Sequence, residues 1–210
     1  MITDITPLLG KVHNCDCLEF MRQLPDKCVD LVLTDPPYGI GQDGGVFRGR
    51  KGDGIRILEK MGWDNKTPEA EVFNEIIRIS KNQIIWGGNY FTDKLPVSRG
   101  WLYWEKLMGG DFSDGELAWS SYDAVLKQFT CCNKMGGKEH PTQKPEELFR
   151  WVLTNHEDCL TVFDPFMGSG TTAVACERLG RKWFGCELEP KYVDIANKRI
   201  EAERAQLKLF

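Results

Sequence analysis

Short apolar runs alternate with amphipathic stretches along the chain, and the alternation predicts strands and helices in turn. A short apolar segment at residues 11–14 is followed by Leu18, Phe20, Met21 and Leu24 at helical spacing, and Pro25 and Asp26 stop that helix. Residues 28–34 (CVDLVLT) form a compact run of β-branched residues and leucine, which is how a buried parallel strand reads. The run ends at Asp35-Pro36-Pro37-Tyr38, because proline has no donor for a sheet ladder. Residues 39–66 are rich in glycine, show no steady period and read as one long mobile loop. Beyond it come an amphipathic helix at 69–80, a strand at 83–86 before Gly87-Gly88, and strands at 101–104 and 124–129. The last third predicts a helix at 146–155 after Pro145, a strand at 160–163, a helix at 171–179 closed by Gly180, a strand at 182–186 and a final helix from 191 to about 204. Pro190 stands near the first position of that last helix. Such alternation specifies an α/β domain on a largely parallel sheet, without internal repeat or linker.

Length and composition narrow the class without changing that picture. At 210 residues the chain holds one domain, 1–210, and its 41% hydrophobic and 28% charged residues exclude a disordered or collagenous chain. No window approaches the roughly 18 uninterrupted apolar residues of a membrane span. The opening MITDITPLLGK lacks both a basic leader and an apolar run, so a cytoplasmic protein is expected. The net charge of −4 argues against coating nucleic acid by bulk positive charge, while leaving room for an enzyme with a local basic groove. Eight cysteines include no Cys-x-x-Cys pair, and Cys131 and Cys132 near His140 lack a fourth ligand, so reduced thiols and no metal are expected.

Two strand ends carry the chemistry. The strand at 160–163 runs into Asp164-Pro165-Phe166-Met167-Gly168-Ser169-Gly170-Thr171, a glycine turn opening a helix, which is the form of a nucleotide-cofactor edge. Glu187, at the end of the next strand, follows Gly168 by 19 residues, the place of an acidic residue that holds ribose hydroxyls. Only about 20 residues follow Glu187, too few for the second half of a dinucleotide fold, so a single nucleoside-type cofactor is implied. At the other strand end, Asp35 offers a carboxylate, Pro36 a carbonyl freed from the ladder, and Tyr38 an aromatic face. Two acceptors beside a ring suit an exocyclic amino group on a planar base.

These residues resemble the amino-methylating DNA methyltransferases, specifically the β group, whose catalytic motif precedes the cofactor motif. The resemblance spans nearly the whole chain: Asp35-Pro36-Pro37-Tyr38 matches the catalytic motif, the 163–170 segment matches the S-adenosylmethionine motif, and His140-Pro141-Thr142-Gln143-Lys144-Pro145 matches the segment leading a helix to the methionine end of the cofactor. It implies a Rossmann-like methyltransferase fold with permuted motif order and helices on both faces. It implies S-adenosyl-L-methionine as cofactor, held by Asp16, Cys17, His140, Thr142, Lys144, Asp164, Phe166, Gly168, Gly170, Thr171 and Glu187, with Asp16 near the adenine. It further implies direct transfer to a base rotated out of the duplex, without metal or covalent cysteine. Aspartate at the first motif position looks more like the adenine-N6 than the cytosine-N4 enzymes.

Double-stranded DNA is the expected partner, and restriction-modification the expected setting. The 39–66 segment carries six basic and four acidic side chains, so Arg48, Arg50, Lys51 and Arg56 are the expected phosphate contacts, although a solvated loop has the same composition. Only about 100 residues separate Tyr38 from His140, fewer than a separate recognition region needs. The spacing implies either a short recognition sequence or reading with a second subunit; homodimers are common in this family, and light scattering tests that alternative. The tail Gln206-Leu207-Lys208-Leu209-Phe210 resembles a sliding-clamp docking peptide, against the simpler reading of a frayed helix end; deleting it tests clamp capture. Competing readings are a cytosine-N4 enzyme, an RNA or protein-glutamine methyltransferase, and a non-catalytic DNA- or clamp-associated module. A dehydrogenase leaves Asp35 to Tyr38 unexplained.

Overall fold

The computed structural model describes residues 1–41, 43, 62, 64–107, 113–132 and 143–207, together with the backbone of 45–48 and 55–58. Among the described residues, ten strands and five α-helices follow one another as β1 (Val12–Asn14), α1 (Cys17–Met21), β2 (Val29–Thr34), β3 (Gly45–Arg48), β4 (Ile55–Leu58), α2 (Ala70–Ile79), β5 (Ser80–Trp86), β6 (Gly100–Glu105), β7 (Gly115–Ser120), β8 (Lys127–Thr130), α3 (Glu146–Thr154), β9 (Thr161–Asp164), α4 (Thr171–Arg178), β10 (Lys182–Glu187) and α5 (Pro190–Leu207). Eight of these strands make one sheet in the order β1-β10-β9-β2-β5-β7-β6-β8. Pairing is parallel from β1 through β5, and β7 alone runs antiparallel to its neighbours β5 and β6.

Alternation of side chains along the central strands explains the three layers. Leu31 and Leu33, Ile84 and Trp86, Val162 and Trp183 point to one face, where Leu148, Val152, Ala173, Ala175, Ala196 and Ile200 of α3, α4 and α5 cover them. Val32, Ile85, Phe163 and Phe184 point to the other, against Met21 and Val72, Phe73, Ile76 and Ile79 of α1 and α2. All of these residues are buried, and each large aliphatic side chain withdrawn in this way contributes about 1.5–3 kcal/mol. Strands buried on both faces cannot show polar alternation, so their sequences read as unbroken apolar runs.

The expected architecture is present: an α/β fold with a mostly parallel sheet and helices on both faces. Three expectations require correction. Within 39–66, β3 and β4 pair antiparallel, with Phe47 opposite Arg56 and Arg48 opposite Ile55, so the segment holds a hairpin and not one long loop. The sequence carries its signal, since Val46-Phe47 and Ile55 to Leu58 flank a glycine-rich stretch. Strand β7 has no counterpart among the expected elements; its sequence GELAWS mixes half-buried and buried positions, so no apolar run marks it. The strand expected at 124–129 begins three residues later, and Val125 and Leu126 before it are exposed.

Several expected site residues lie outside the described residues, namely Arg50, Lys51, His140, Thr142, Leu209 and Phe210. Gln206 and Leu207 are the exposed last residues of α5. Among the described residues, no helix is long and apolar enough to cross a membrane.

Candidate active site at the carboxyl edge of the sheet

Strands β9 and β2 are neighbours, yet their chains depart to opposite faces of the sheet. After β9 the chain enters α4 on one face, and after β2 the next helix to be reached is α2 on the other. Such a switch point opens a crevice at the carboxyl ends of the two strands, the usual ligand position in an open α/β sheet. Asp164 ends β9, and Asp35 follows β2 directly. Both expected motifs therefore meet at one crevice although 130 residues separate Thr34 from Asp164.

The glycine turn is fixed by carboxylates from both sides. Asp164 is buried, and its Oδ1 accepts from the Thr34 hydroxyl at 2.6 Å and from the Phe166 amide at 3.0 Å, while Oδ2 accepts from the Thr172 hydroxyl at 2.5 Å. Its side chain thus ties β2, the turn and α4 together, instead of facing outward as a cofactor ligand. Burial pushes its pKa up to about 6, against the pull of the Thr172, Thr34 and Phe166 donors. From β10, Glu187 accepts the Gly168 amide at 2.8 Å through Oε2 and the Glu189 amide at 2.9 Å through Oε1. Burial raises this carboxyl as well, with the two amides opposing. Gly170 has φ +84°, and a Cβ there would stand 3.0 Å from the Ala196 Cβ, so only glycine lets α5 pack on the turn. At Gly168, by contrast, the nearest atom to an added Cβ would be the Phe166 carbonyl oxygen at 4.0 Å, leaving an open side to the turn.

The floor of the crevice continues to β1. Asn14 donates from Nδ2 to the Glu187 and Leu188 carbonyls, at 2.9 Å each, holding the ends of β1 and β10 together. Asp16 caps α1 by accepting the Glu19 amide at 3.0 Å; Cys17 is half-buried, and burial pushes its thiol up to about 12. Phe166 is half-buried against the core, and Thr171 opens α4.

Beside β2 lies a denser ionic cluster. Asp35 Oδ1 accepts the Tyr38 hydroxyl at 2.7 Å and forms an ion pair with Lys144, and among the described residues no protein donor reaches its other oxygen or the Pro36 carbonyl. Lys144 is 4% exposed; its ammonium also donates to the Tyr38 oxygen at 2.8 Å and pairs with Glu116 at 3.0 Å, lying 5.1 Å from the Tyr38 ring centre. Glu116 takes a second cation, Lys106, at 2.5 Å. Burial would raise Glu116, but Lys144 and Lys106 hold it down at about 2. Burial raises Asp35 above the ordinary carboxylate range, with Lys144 opposing. Burial, Asp35 and Glu116 all raise the Tyr38 phenol, keeping it protonated. Tyr90 stacks on the Tyr38 ring at 4.8 Å and 16°, so the aromatic face expected of Tyr38 is covered on that side.

Topology explains why Glu116 and Lys106 arrive here. Strand β7 is antiparallel, so its first residues stand at the carboxyl edge of its parallel neighbours: Ala118 pairs with Trp86, and Glu116 projects past the end of β5. Strand β6 runs with β5, and Lys106 follows its last residue. The sheet edge thus collects a titratable group from five of its eight strands, β2, β6, β7, β9 and β10.

A family model described as DNA methylase, that of the N6/N4 methyltransferases, matches residues 85–198, more than half of the chain. The type II methyltransferase M2.DpnII of Streptococcus pneumoniae is 33% identical over 91% of this chain and 89% of its own length. The chain belongs to the N6/N4 DNA methylase family. It is accordingly a DNA methyltransferase. The methylase fold is shared with the M1.HpyAVI–SAM complex (21% identity, TM-score 0.58, covering 90% of this chain and 98% of that one) and with the cytosine-N4-specific PvuII DNA methyltransferase (18%, TM-score 0.57, 91% and 89%).

The sequence led to Asp35, Pro36, Pro37 and Tyr38 and to the turn with Glu187, and the structure brings these to one edge of the sheet. Lys144, expected toward the methionine end of the cofactor, is held by Asp35 and Tyr38, because the residue precedes Pro145 at the start of α3 and that helix packs under Trp86. The sequence missed Glu116, Lys106 and Tyr90, none of which has a local signal; only recognition of β7 as antiparallel would have found the first.

The raised Asp164 makes stability depend on pH. Native protein binds more protons than unfolded chain between about pH 4 and pH 6, so this group's contribution is present at low pH and lost as pH rises through 6. The unfolding free energy of wild type minus that of Asp164→Asn should therefore fall by about 2–3 kcal/mol between pH 4 and pH 7. Paired denaturant titrations across that range measure it, and a difference independent of pH would contradict the assignment.

Proposed function

We propose that the enzyme transfers the methyl group of S-adenosylmethionine to the exocyclic N6 amino group of adenine in duplex DNA, at a specific short sequence. The observation that carries this reading is Asp35, with an oxygen and the neighbouring Pro36 carbonyl both without protein donors among the described residues, set across the β2/β9 switch point from the glycine turn. Asp35 and the Pro36 carbonyl accept the two amino hydrogens, which draws the nitrogen lone pair out of conjugation with the ring; positioning and electrostatics supply most of the rate.

The residues fit the cofactor. Gly168 leaves the turn open on one side, the α4 N-terminus follows at Thr171, and Glu187 keeps lone pairs for ribose hydroxyls after accepting two backbone amides. Asp16 stands beyond the end of β1, suited to the adenine ring. When bound, the cofactor supplies an electrophilic sulfonium methyl. Asp35 takes the proton that the methylated nitrogen must shed, a role suited to a carboxyl raised above the ordinary range. A flipped base needs an aromatic partner, and the Tyr38–Tyr90 pair supplies rings at the mouth of the crevice.

Incubation of unmethylated genomic DNA with labelled S-adenosylmethionine, digestion to nucleosides and mass spectrometry test this directly. N6-methyladenine should form with wild type and fall at least about a hundredfold with Asp35→Ala, a loss of the size expected for a charge-stabilising group. N4-methylcytosine would overturn the choice of base, and full activity in the variant would overturn the role of Asp35.

We further propose that the 39–66 segment contacts the phosphate backbone through Arg48, Arg50, Lys51 and Arg56, on the ground of its net charge of +2 within a chain of −4. Replacing Arg50 and Lys51 by glutamate should raise the KM for DNA, leave cofactor affinity unchanged and flatten the salt dependence of binding. An unchanged salt slope would remove these residues from the interface.

A further inference from the structure

The Lys144 cluster contains more than the transfer reaction requires. Three hydrogens of one ammonium meet three acceptors, the Asp35 carboxylate, the Tyr38 oxygen and the Glu116 carboxylate, in a site where the lysine side chain is 4% exposed. Glu116 is itself held by Lys106 from the far side, so the four charged groups balance. A lysine bound to Asp35 alone would have to be stripped of its partner, at large cost, whenever another donor claimed that carboxylate. A lysine already bound to Glu116 need not be. The amino group of a target base is such a donor, and once methylated it is briefly a cation, which an ammonium on the same carboxylate would oppose.

We propose that Lys144 is a transferable counter-ion: it occupies Asp35 in the substrate-free enzyme and gives that carboxylate up to the target amino group while remaining on Glu116, which acts as its positioning residue. This rests on the reading of Asp35 as the amino-group acceptor. The amino group takes the Asp35 oxygen that has no protein donor among the described residues, and Lys144 leaves Oδ1 as positive charge builds on the methylated nitrogen, with no proton or electron transferred in the exchange. The groups that face Asp35 are Tyr38 on its own loop, Glu116 from β7 with Lys106 behind it, Lys144 from the start of α3 and Asp164 from β9. With Lys144 absent, only Lys106, on the far side of Glu116, offsets the repulsion between Glu116 and the Asp35 charge.

Single-turnover methylation across about pH 5.5–9 with the full chain tests this, using Glu116→Gln, Lys144→Met, Lys144→Arg and the Glu116→Gln/Lys144→Met double variant. In Glu116→Gln the lysine has only Asp35 to hold, so kcat should fall at least about tenfold, with cofactor affinity within about twofold of wild type. Lys144→Met should move the acid limb of the rate profile to higher pH and recover activity toward about pH 9, while Lys144→Arg keeps the limb in place. The double variant should be within about threefold of Lys144→Met alone, because the trapped lysine is gone. Carboxyl carbon NMR of the protein without substrate supplies a readout besides activity: Asp35 should titrate at higher pH in Lys144→Met. A Glu116→Gln enzyme within about twofold of wild type, or single defects that multiply in the double variant, would overturn the exchange. If Glu116→Gln fails to fold, the displaced acid limb of Lys144→Met decides alone, and an unmoved limb overturns the proposal. Full activity in Asp35→Ala would instead remove the underlying reading, so the two failures are told apart.

Discussion

The side chain of Asp164 is the constraint on which the site depends. One buried carboxylate receives a hydroxyl from the last residue of β2, an amide from the glycine turn and a hydroxyl from α4, and so binds three segments together. Thr34, its partner on β2, is covalently next to Asp35. The position of Asp35 relative to the glycine turn is thereby set through a single residue. A buried carboxylate with three donors is stable only while all three are present, since an orphaned buried acceptor costs about 1–3 kcal/mol.

Around that point the sheet edge sorts charge by strand direction. Parallel strands β2, β9 and β10 deliver Asp35, Asp164 and Glu187 at their carboxyl ends, a concentration of acid in a half-buried crevice. The antiparallel β7 and its neighbour β6 contribute Glu116 and Lys106, and Lys144 enters from the start of α3 to neutralise the surplus. Acid at the glycine turn is satisfied by backbone amides and threonine hydroxyls, whereas acid at Asp35 is satisfied by a cation. The first arrangement is permanent, and the second can be exchanged.

How much of this the sequence discloses follows from how far each contact reaches. Strands β2, β5, β9 and β10 are legible because burial on both faces makes them apolar runs, and Asp35 and the glycine turn are legible because each motif is contiguous. Helix α3 is marked by Pro145, and α4 by the turn before it and Gly180 after it. Strand β7 escapes because Glu116 interrupts its apolar pattern, and the interruption is the residue that holds Lys144. The β3–β4 hairpin escapes because its strands are only four residues long and glycine dominates the stretch between them. Lys144 lies 106 residues from Tyr38 in sequence, and no local pattern states that they meet.

The most direct test of the account is Thr34→Val, which removes one hydroxyl from the buried Asp164 network and keeps the shape of the side chain. Calorimetric cofactor binding, single-turnover methylation and thermal unfolding would be measured on the same preparation. Because the bond joins the glycine turn to the strand that leads to Asp35, the account predicts a stability loss of about 1–3 kcal/mol together with a fall in both cofactor affinity and kcat. Wild-type cofactor affinity and kcat in a variant with that stability loss would contradict it, and would show that the two halves of the crevice are positioned independently.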